Sequence, residues 1–473
     1  MGLRILSLCA LSAALAWPAS AGAFTRTDAA VTMDDGVSLG TTLYLPDGTP
    51  PAAGWPAVMM LHGLGGERQD MNLIAESVYV PQGYAVFTFD ARAHGESGGL
   101  VTLDGPREIA DVRALFGRLA ARPDVDDGRI GAWGVSYGGG AVWRATVEGV
   151  PFAAIEPYET WTDLYAALFP QSLAKSGVVF GFLQEIPPGR SPFVDSFKDD
   201  ALASRNLDVL VGIGDERSSL ARLGTVTTPT FMFQGKRDFA FDMEQAIAAY
   251  RLLKGPKRLY LGNLGHPPST FVADDYTYFI EQGRLWFDRF LKGMPNGIDT
   301  RPPVELAPTP FAVSRIGRYQ GLPSTTSSTS HRLGRKQTIA AGGKLAWNGL
   351  ALPRKLETFG PARLTVSAST RSSWPHLVAV LSAVTPSGQE IVLSGGGVPT
   401  RSLGRKARTL TIRLMNTATF VPTGSRLRVT LAATSLAQNP GNLLYLQSAP
   451  AGSSLTIGKV SLTLQALRTP VSG

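Results

Sequence analysis

Six apolar runs of four to seven residues punctuate the first 265 residues of the chain, at 57–61, 84–89, 129–135, 152–155, 230–234 and 258–261, and none alternates between apolar and polar positions. Such runs suit strands buried on both faces, which requires a sheet covered by helices on each side. The intervening segments supply those helices. In 106–121, Ile109, Val112, Leu115, Phe116 and Leu119 fall on one helical face, and Pro106 stands in the first turn, where it is tolerated. Segments 242–254 and 275–292 repeat the pattern. Strand–helix alternation predicts an α/β chain built on a mostly parallel sheet. Residues 157–225 break the rhythm. They are aromatic and partly helical, and are expected to form a cap over the C-terminal edge of the sheet.

The pattern changes near residue 300. Prolines and glycines in 294–310 read as a linker, and the Ser/Thr run 324–330 as a loop. Beyond it, 363–369, 377–384, 408–415, 426–433 and 459–466 alternate with period two, separated by turn signals such as Pro386-Ser387-Gly388. That predicts an antiparallel β-sandwich. The expected division is a catalytic domain over 24–296 and a β-sandwich over 297–473. Charge divides at nearly the same place: residues 301–473 carry 20 Lys and Arg against 3 Glu, whereas residues 1–300 carry 25 against 34 acids. The excess cations must point outward, because buried ones need acidic partners. They either keep the protein soluble or hold it on an anionic surface; nucleic acid is not expected as a partner.

The 473 residues leave room for two or three domains. Residues 1–23 read as a secretory signal peptide: Arg4 begins it, 5–17 is apolar, and Ala19-Ser20-Ala21 and Ala21-Gly22-Ala23 offer two small-x-small cleavage sites. A secreted or periplasmic location is expected. Cys9, the chain's one cysteine, lies inside that segment, so the mature chain is expected to have no disulfide, thiolate nucleophile or thiolate metal site. No later stretch is long and apolar enough to predict a transmembrane helix. No cofactor and no metal is implied.

The pattern Gly-x-Ser-x-Gly occurs twice, around Ser97 and around Ser136. Ser136 directly follows the apolar run 129–135 and precedes a helix-capable segment. Strand, tight turn and helix are the context of a nucleophile elbow, and Ser97 lacks the helix. A serine needs a base. Of His62, His94, His266, His331 and His376, His266 follows the last strand of the sheet, where it can reach the elbow. His62 and His94 read as structural. Asp238, just after the run 230–234, is positioned to orient His266; its rival Asp242 reads as a helix N-cap. The chain order Ser136, Asp238, His266 is that of the α/β-hydrolase triad. The backbone N–H groups of Tyr137 and Leu64, the latter in His62-Gly63-Leu64-Gly65-Gly66, are expected to form the oxyanion hole. Glu156 and Glu159 are candidates for holding a substrate ammonium, or else a structural pair under the cap.

Taken together, these residues resemble the α/β-hydrolase superfamily, and within it the Xaa-Pro dipeptidyl-peptidase and cocaine-esterase-like serine hydrolases. Residues 31–46 look like that family's opening hairpin. Residues 89–99, 124–140, 235–238 and 265–266 resemble its motifs in order, and 384–396 and 420–442 its jelly-roll domain. One departure is visible: the tyrosine that often completes the oxyanion hole in the esterase branch has no counterpart in 62–66, which resembles the two-backbone-donor arrangement of general esterases. The resemblance implies an exported hydrolase of esters or amides acting through an acyl-enzyme on Ser136, with a small ester or peptide as substrate. The alternatives are an Xaa-Pro dipeptidyl aminopeptidase with the same triad, or a binding protein built on an inactive hydrolase.

Overall fold

The computed structural model describes residues 24–267, 269, 271–332 and 336–473; the segment read as a signal peptide, with Cys9, lies outside the described residues. The sheet strands are β1 (Phe24–Thr32), β2 (Ser38–Pro46), β3 (Trp55–Leu61), β4 (Ala85–Phe89), β5 (Val125–Val135), β6 (Ala154–Tyr158), β7 (Thr230–Gly235), β8 (Lys257–Gly262), β9 (Val304–Leu306) and β10 (Gly317–Tyr319). They form one ten-stranded sheet in the order β1-β2-β4-β3-β5-β6-β7-β8-β9-β10. Every neighbouring pair from β4 to β9 is parallel; β1–β2, β2–β4 and β9–β10 are antiparallel.

The non-alternating strands have helices on both faces. Ala57, Met59 and Leu61 of β3 join a core with the helices Pro106–Ala120, Tyr137–Val147 and Met243–Leu252. Val58 and Met60 point the other way, into a core with segment 71–80 and the helix Ala273–Leu291. The strand expected at 152–155 sits at Ala154–Tyr158 instead, with Ala154 and Tyr158 on the Ala273–Leu291 side. The sheet also runs past the expected division at 296/297. β9 and β10 complete it, and the β-sandwich starts with the strand Thr325–Arg332. The Pro-rich spacing there marks two short strands at one end of the sheet as well as a linker.

Between β6 and β7 the chain forms a cap of short helices, Leu164–Leu168, Ser176–Glu185, Pro192–Asp195, Lys198–Ala203 and Leu207–Glu216. In the sandwich, Gly360–Thr370 pairs with Arg408–Thr417 and Ser454–Leu467, facing a second sheet that contains His376–Val384 between Glu390–Pro399 and Arg426–Ala432. Alternation follows the sequence pattern: Leu364 and Val366 are buried in the sandwich core, whereas Arg363 is exposed. Among the described residues, no helix is long and apolar enough to cross a membrane.

The three Glu residues of the basic half are all paired. Glu390 meets Arg428 at 2.9 Å, and Glu305 meets Arg258 of β8 at 3.3 Å. Glu357 lies 3.9 Å from Lys236, which follows β7. Lys236 is buried, with Nζ donating to Ala307 O (2.6 Å) and Thr309 Oγ1 (2.9 Å), and its backbone carbonyl accepts from Ala418 N of the sandwich. Burial pushes its pKa down to about 8 despite the attraction of Glu357. Lys236→Met leaves those acceptors unsatisfied and is expected to lower stability in urea by about 3 kcal/mol. A change within about 0.5 kcal/mol, the range of an ordinary surface substitution, would contradict this fastening role.

Candidate active site

β5 runs into the helix Tyr137–Val147 through one residue, Ser136, held at φ +53°. A positive φ at a non-glycine residue is strained and persists only where the surroundings impose it. Here they do. Ser136 N donates to Tyr158 O (2.9 Å), and its carbonyl accepts from Gly140 N (2.9 Å) and Thr160 Oγ1 (2.6 Å). The two glycines of the motif answer a steric need: a Cβ at Gly138 would strike the Leu61 backbone of β3, and one at Gly134 would strike the Gly138 carbonyl. The helix can therefore cross both strands closely and aim its N-terminus at the serine.

Ser136 Oγ lies 2.8 Å from His266 Nε2, and His266 Nδ1 lies 2.7 Å from Asp238 Oδ2. The other Asp238 oxygen accepts from Ala240 N (2.8 Å) and Phe241 N (3.0 Å), which fixes the carboxylate. The His266 ring stands edge-on to Phe241 at 5.0 Å and to Phe182 of the cap at 5.9 Å. Asp242 caps the next helix, accepting from Glu244 N at 3.0 Å. Three elements thus deliver the expected trio from the C-terminal ends of β5, β7 and β8.

Gly63 lies against Ser136, and Leu64 lines the same cavity as Ser136 and Tyr137. The N–H groups of Leu64 and Tyr137 donate to no protein acceptor among the described residues, as a site for a developing oxyanion requires. Tyr137 is itself anchored, its hydroxyl donating to Glu108 Oε2 at 2.8 Å.

The other candidates fall elsewhere. Ser97 is buried, donating to Asp90 O (2.7 Å) and accepting from Gly40 N (2.9 Å), so it braces a loop. His62 accepts from Ala91 N through Nε2 (2.9 Å) and contacts Gly63 O through Nδ1 (2.7 Å); burial holds it neutral, with a pKa near 3. His94 is likewise buried, with Nδ1 on Arg92 O. Glu156 and Glu159 do not reach the cavity, which corrects the expectation that they hold a substrate ammonium. Glu156 shares the side of β6 that faces the Ala273–Leu291 helix, where its oxygen lies 3.5 Å from Tyr79 Oη and burial raises its pKa strongly. Glu159 is buried behind Asp238. Glu159, Asp238 and His266 each bring a ligand atom within 4.8 Å of the others. With Nδ1–H donated to Asp238, His266 has only its Nε2 lone pair, which accepts from Ser136, so the trio keeps no nitrogen for an ion.

A cavity lies above Ser136, and its walls are almost wholly apolar. Leu64, Trp161, Leu164, Leu168, Phe182 and Phe241 are among them, and the one charged side chain is Lys198, paired with Asp195 at 2.8 Å. Sequence reasoning missed a further structural element, Lys175. It is the one lysine in 157–197 and is almost wholly buried, and its Nζ donates to the carbonyls of Phe239 (3.2 Å) and Ala240 (2.9 Å) in the acid loop. Its isolation in an apolar stretch is the one signal the sequence carries. The sandwich braces the same region: Gln171 of the cap exchanges hydrogen bonds with Arg413 (3.0 Å each way), and Ser176 Oγ accepts from Leu446 N at 2.9 Å.

Residues 35–186 match the model of the X-Pro dipeptidyl-peptidase (S15) family. A Streptomyces avermitilis protein assigned to the Xaa-Pro dipeptidyl-peptidases is 25% identical over 67% of this chain and 54% of its own. The quorum-quenching protein AidA of Acinetobacter baumannii is 31% identical over 24% of this chain and 38% of its own. The chain thus spans from about two fifths to about half the length of these curated relatives. In fold it is similar to a CocE/NonD family hydrolase from Staphylococcus aureus, with a TM-score of 0.74 at 14% identity over 94% of both chains.

Ser136→Ala is expected to abolish labelling by a fluorophosphonate and to cut turnover by roughly 10⁶-fold, whereas Ser97→Ala keeps the labelling. Full labelling of Ser136→Ala would contradict the assignment. Asp238→Asn is expected to lower turnover by roughly 10⁴-fold, because His266 loses the partner that fixes its tautomer. Asp242→Asn keeps a helix cap and is expected to cost little; the reverse ranking would make Asp242 the acid.

Proposed function

We propose that the chain, which matches the X-Pro dipeptidyl-peptidase (S15) family model over residues 35–186 and is similar in fold to a CocE/NonD family hydrolase, hydrolyses carboxylic esters with an apolar acyl or alcohol group. The observation that carries this reading is the cavity at Ser136, apolar on nearly every side and, among the described residues, without an acidic side chain in its wall. A dipeptidyl aminopeptidase would have to desolvate an α-ammonium there with no anion to receive it, at a cost of several kcal/mol. An aliphatic chain gains about 0.8 kcal/mol for each methylene buried.

The geometry supports the following sequence. Ser136 Oγ attacks the ester carbonyl as His266 Nε2 takes its proton, and Asp238 stabilises the resulting imidazolium. The carbonyl oxygen becomes an oxyanion held by the N–H groups of Leu64 and Tyr137. Collapse expels the alcohol with the proton from His266 and leaves an acyl group on Ser136. Water, deprotonated by His266, attacks that acyl group and releases the acid.

In p-nitrophenyl esters of increasing acyl length, kcat/KM is expected to rise about fourfold per added methylene until the cavity is filled. Xaa-Pro anilides are expected to be poor substrates. Faster turnover of Xaa-Pro anilides than of any ester would favour the dipeptidyl-peptidase reading.

The location is part of the same proposal. An export signal at 1–23 and a strongly basic sandwich suit an enzyme that works outside the cytoplasm against an anionic surface. Exposed cations such as Arg363, Arg413 and Lys459 stand on the sandwich. The full chain is expected to bind anionic vesicles at low salt and leave them as salt shortens the Debye length to about 10 Å at 0.1 M. Equal retention on neutral vesicles would reduce the charge to a solubility device.

A further inference from the structure

Glu159 is a second carboxyl at the centre of the site that the reaction does not use. It directly follows β6 at φ +43°, with its N–H donated to Phe233 O of β7 (2.8 Å), so the backbone itself turns the side chain inward. The residue is 0% exposed, and one carboxyl oxygen packs where a Cβ on Gly235 would come within 3.0 Å. Neither oxygen has a hydrogen-bond partner; the Tyr158 side chain lies alongside without a hydrogen bond of good geometry. Yet a carboxyl oxygen of Glu159 lies within 4.8 Å of both an Asp238 oxygen and a His266 nitrogen.

Two carboxyls this close cannot both ionise in a dry site. Their hydrogen bonds decide which keeps the proton. Asp238 accepts three: from Ala240 N, Phe241 N and His266 Nδ1. Against these three, Glu159 has only the Tyr158 side chain alongside among the described residues, and a buried carboxylate with so few donors is the costlier anion. Burial first, then the charge of Asp238 and the more distant Asp275, raise the Glu159 pKa well above the carboxylate range. The one nearby cation from the cap, Lys175, is committed to the acid-loop carbonyls.

We propose that Asp238 and Glu159 form a two-carboxyl, one-charge pair behind His266, in which Glu159 holds the proton and takes over the negative charge when Asp238 cannot carry it. With one charge the pair orients the imidazole and stabilises it when it gains the serine proton. With two charges it would hold the ring in its charged form and stop it from accepting that proton. Glu159 is thus a positioning residue acting through Asp238. This rests on reading Ser136, His266 and Asp238 as the hydrolytic triad.

The test is a double-mutant cycle in the full chain, read as the rate of Ser136 phosphonylation by a fluorophosphonate across pH. In Asp238→Asn the opposing charge is gone, so Glu159 can ionise, and the residual rate is expected to rise with pH as it does. Glu159→Gln is expected to change the shape of that profile and to cost at least tenfold more in the Asp238→Asn background than in the wild type. Glu159→Met, which also cannot ionise, serves if the Gln variant does not fold. The same factor in both backgrounds, or a pH profile of Asp238→Asn that loss of Glu159 leaves unchanged, would overturn the pair. Absence of Ser136 labelling in the wild type would instead overturn the triad itself.

Discussion

The site depends first on a serine held in a left-handed turn. Ser136 at φ +53° is the single residue between β5 and a helix that must cross β3 and β5 at backbone contact. Three hydrogen bonds to its own main chain hold it there, and two glycines clear the way for the helix. Relaxing that turn would withdraw Oγ from His266, tilt the Tyr137 N–H away from the oxyanion position and push the helix off the sheet. The strain is local, but the packing that enforces it draws on β3, β5 and the end of β6.

The second constraint is dryness. His266 is 6% exposed between two phenylalanines, and the substrate cavity is roofed by cap helices. A dry site strengthens each charge–dipole contact within it. The same dryness raises the pKa of Glu159 beside Asp238. The β-sandwich enters here as a brace. Its Val378, Val380, Met415 and Leu444 pack with Phe239 of the acid loop and Leu173 of the cap, so lid and triad acid rest on one apolar cluster. Its remaining charge is turned to solvent.

The parallel sheet was legible in the sequence because strands buried on both faces leave a non-alternating apolar signature, as 57–61 and 230–234 do. Ser136 was separable from Ser97 because only one copy of the motif joins a strand to a helix. The trio of Ser136, Asp238 and His266 was legible through its order after successive strands. Position within a strand was not legible to one residue: β6 lies at Ala154–Tyr158, so Glu156 turns to the far face, and Glu159 stands behind Asp238 instead of in the cavity. Period two fixes which face a residue takes only once the strand's ends are known. Lys175 and the sandwich contacts were out of reach for another reason. They join residues more than 60 positions apart and leave no periodic trace. The last two strands of the sheet, β9 and β10, three residues each, are too short to show one.

The central claim is that Ser136 carries the acyl group of an apolar ester. Rapid acid quench of the full chain with a p-nitrophenyl ester of a medium-length fatty acid, followed by intact-mass and peptide mass spectrometry, tests it most directly. The expected result is a mass increase equal to the acyl group, located on the peptide that contains Ser136 and absent in Ser136→Ala. An acyl group on any other residue, or steady turnover with the same adduct surviving in Ser136→Ala, would contradict it.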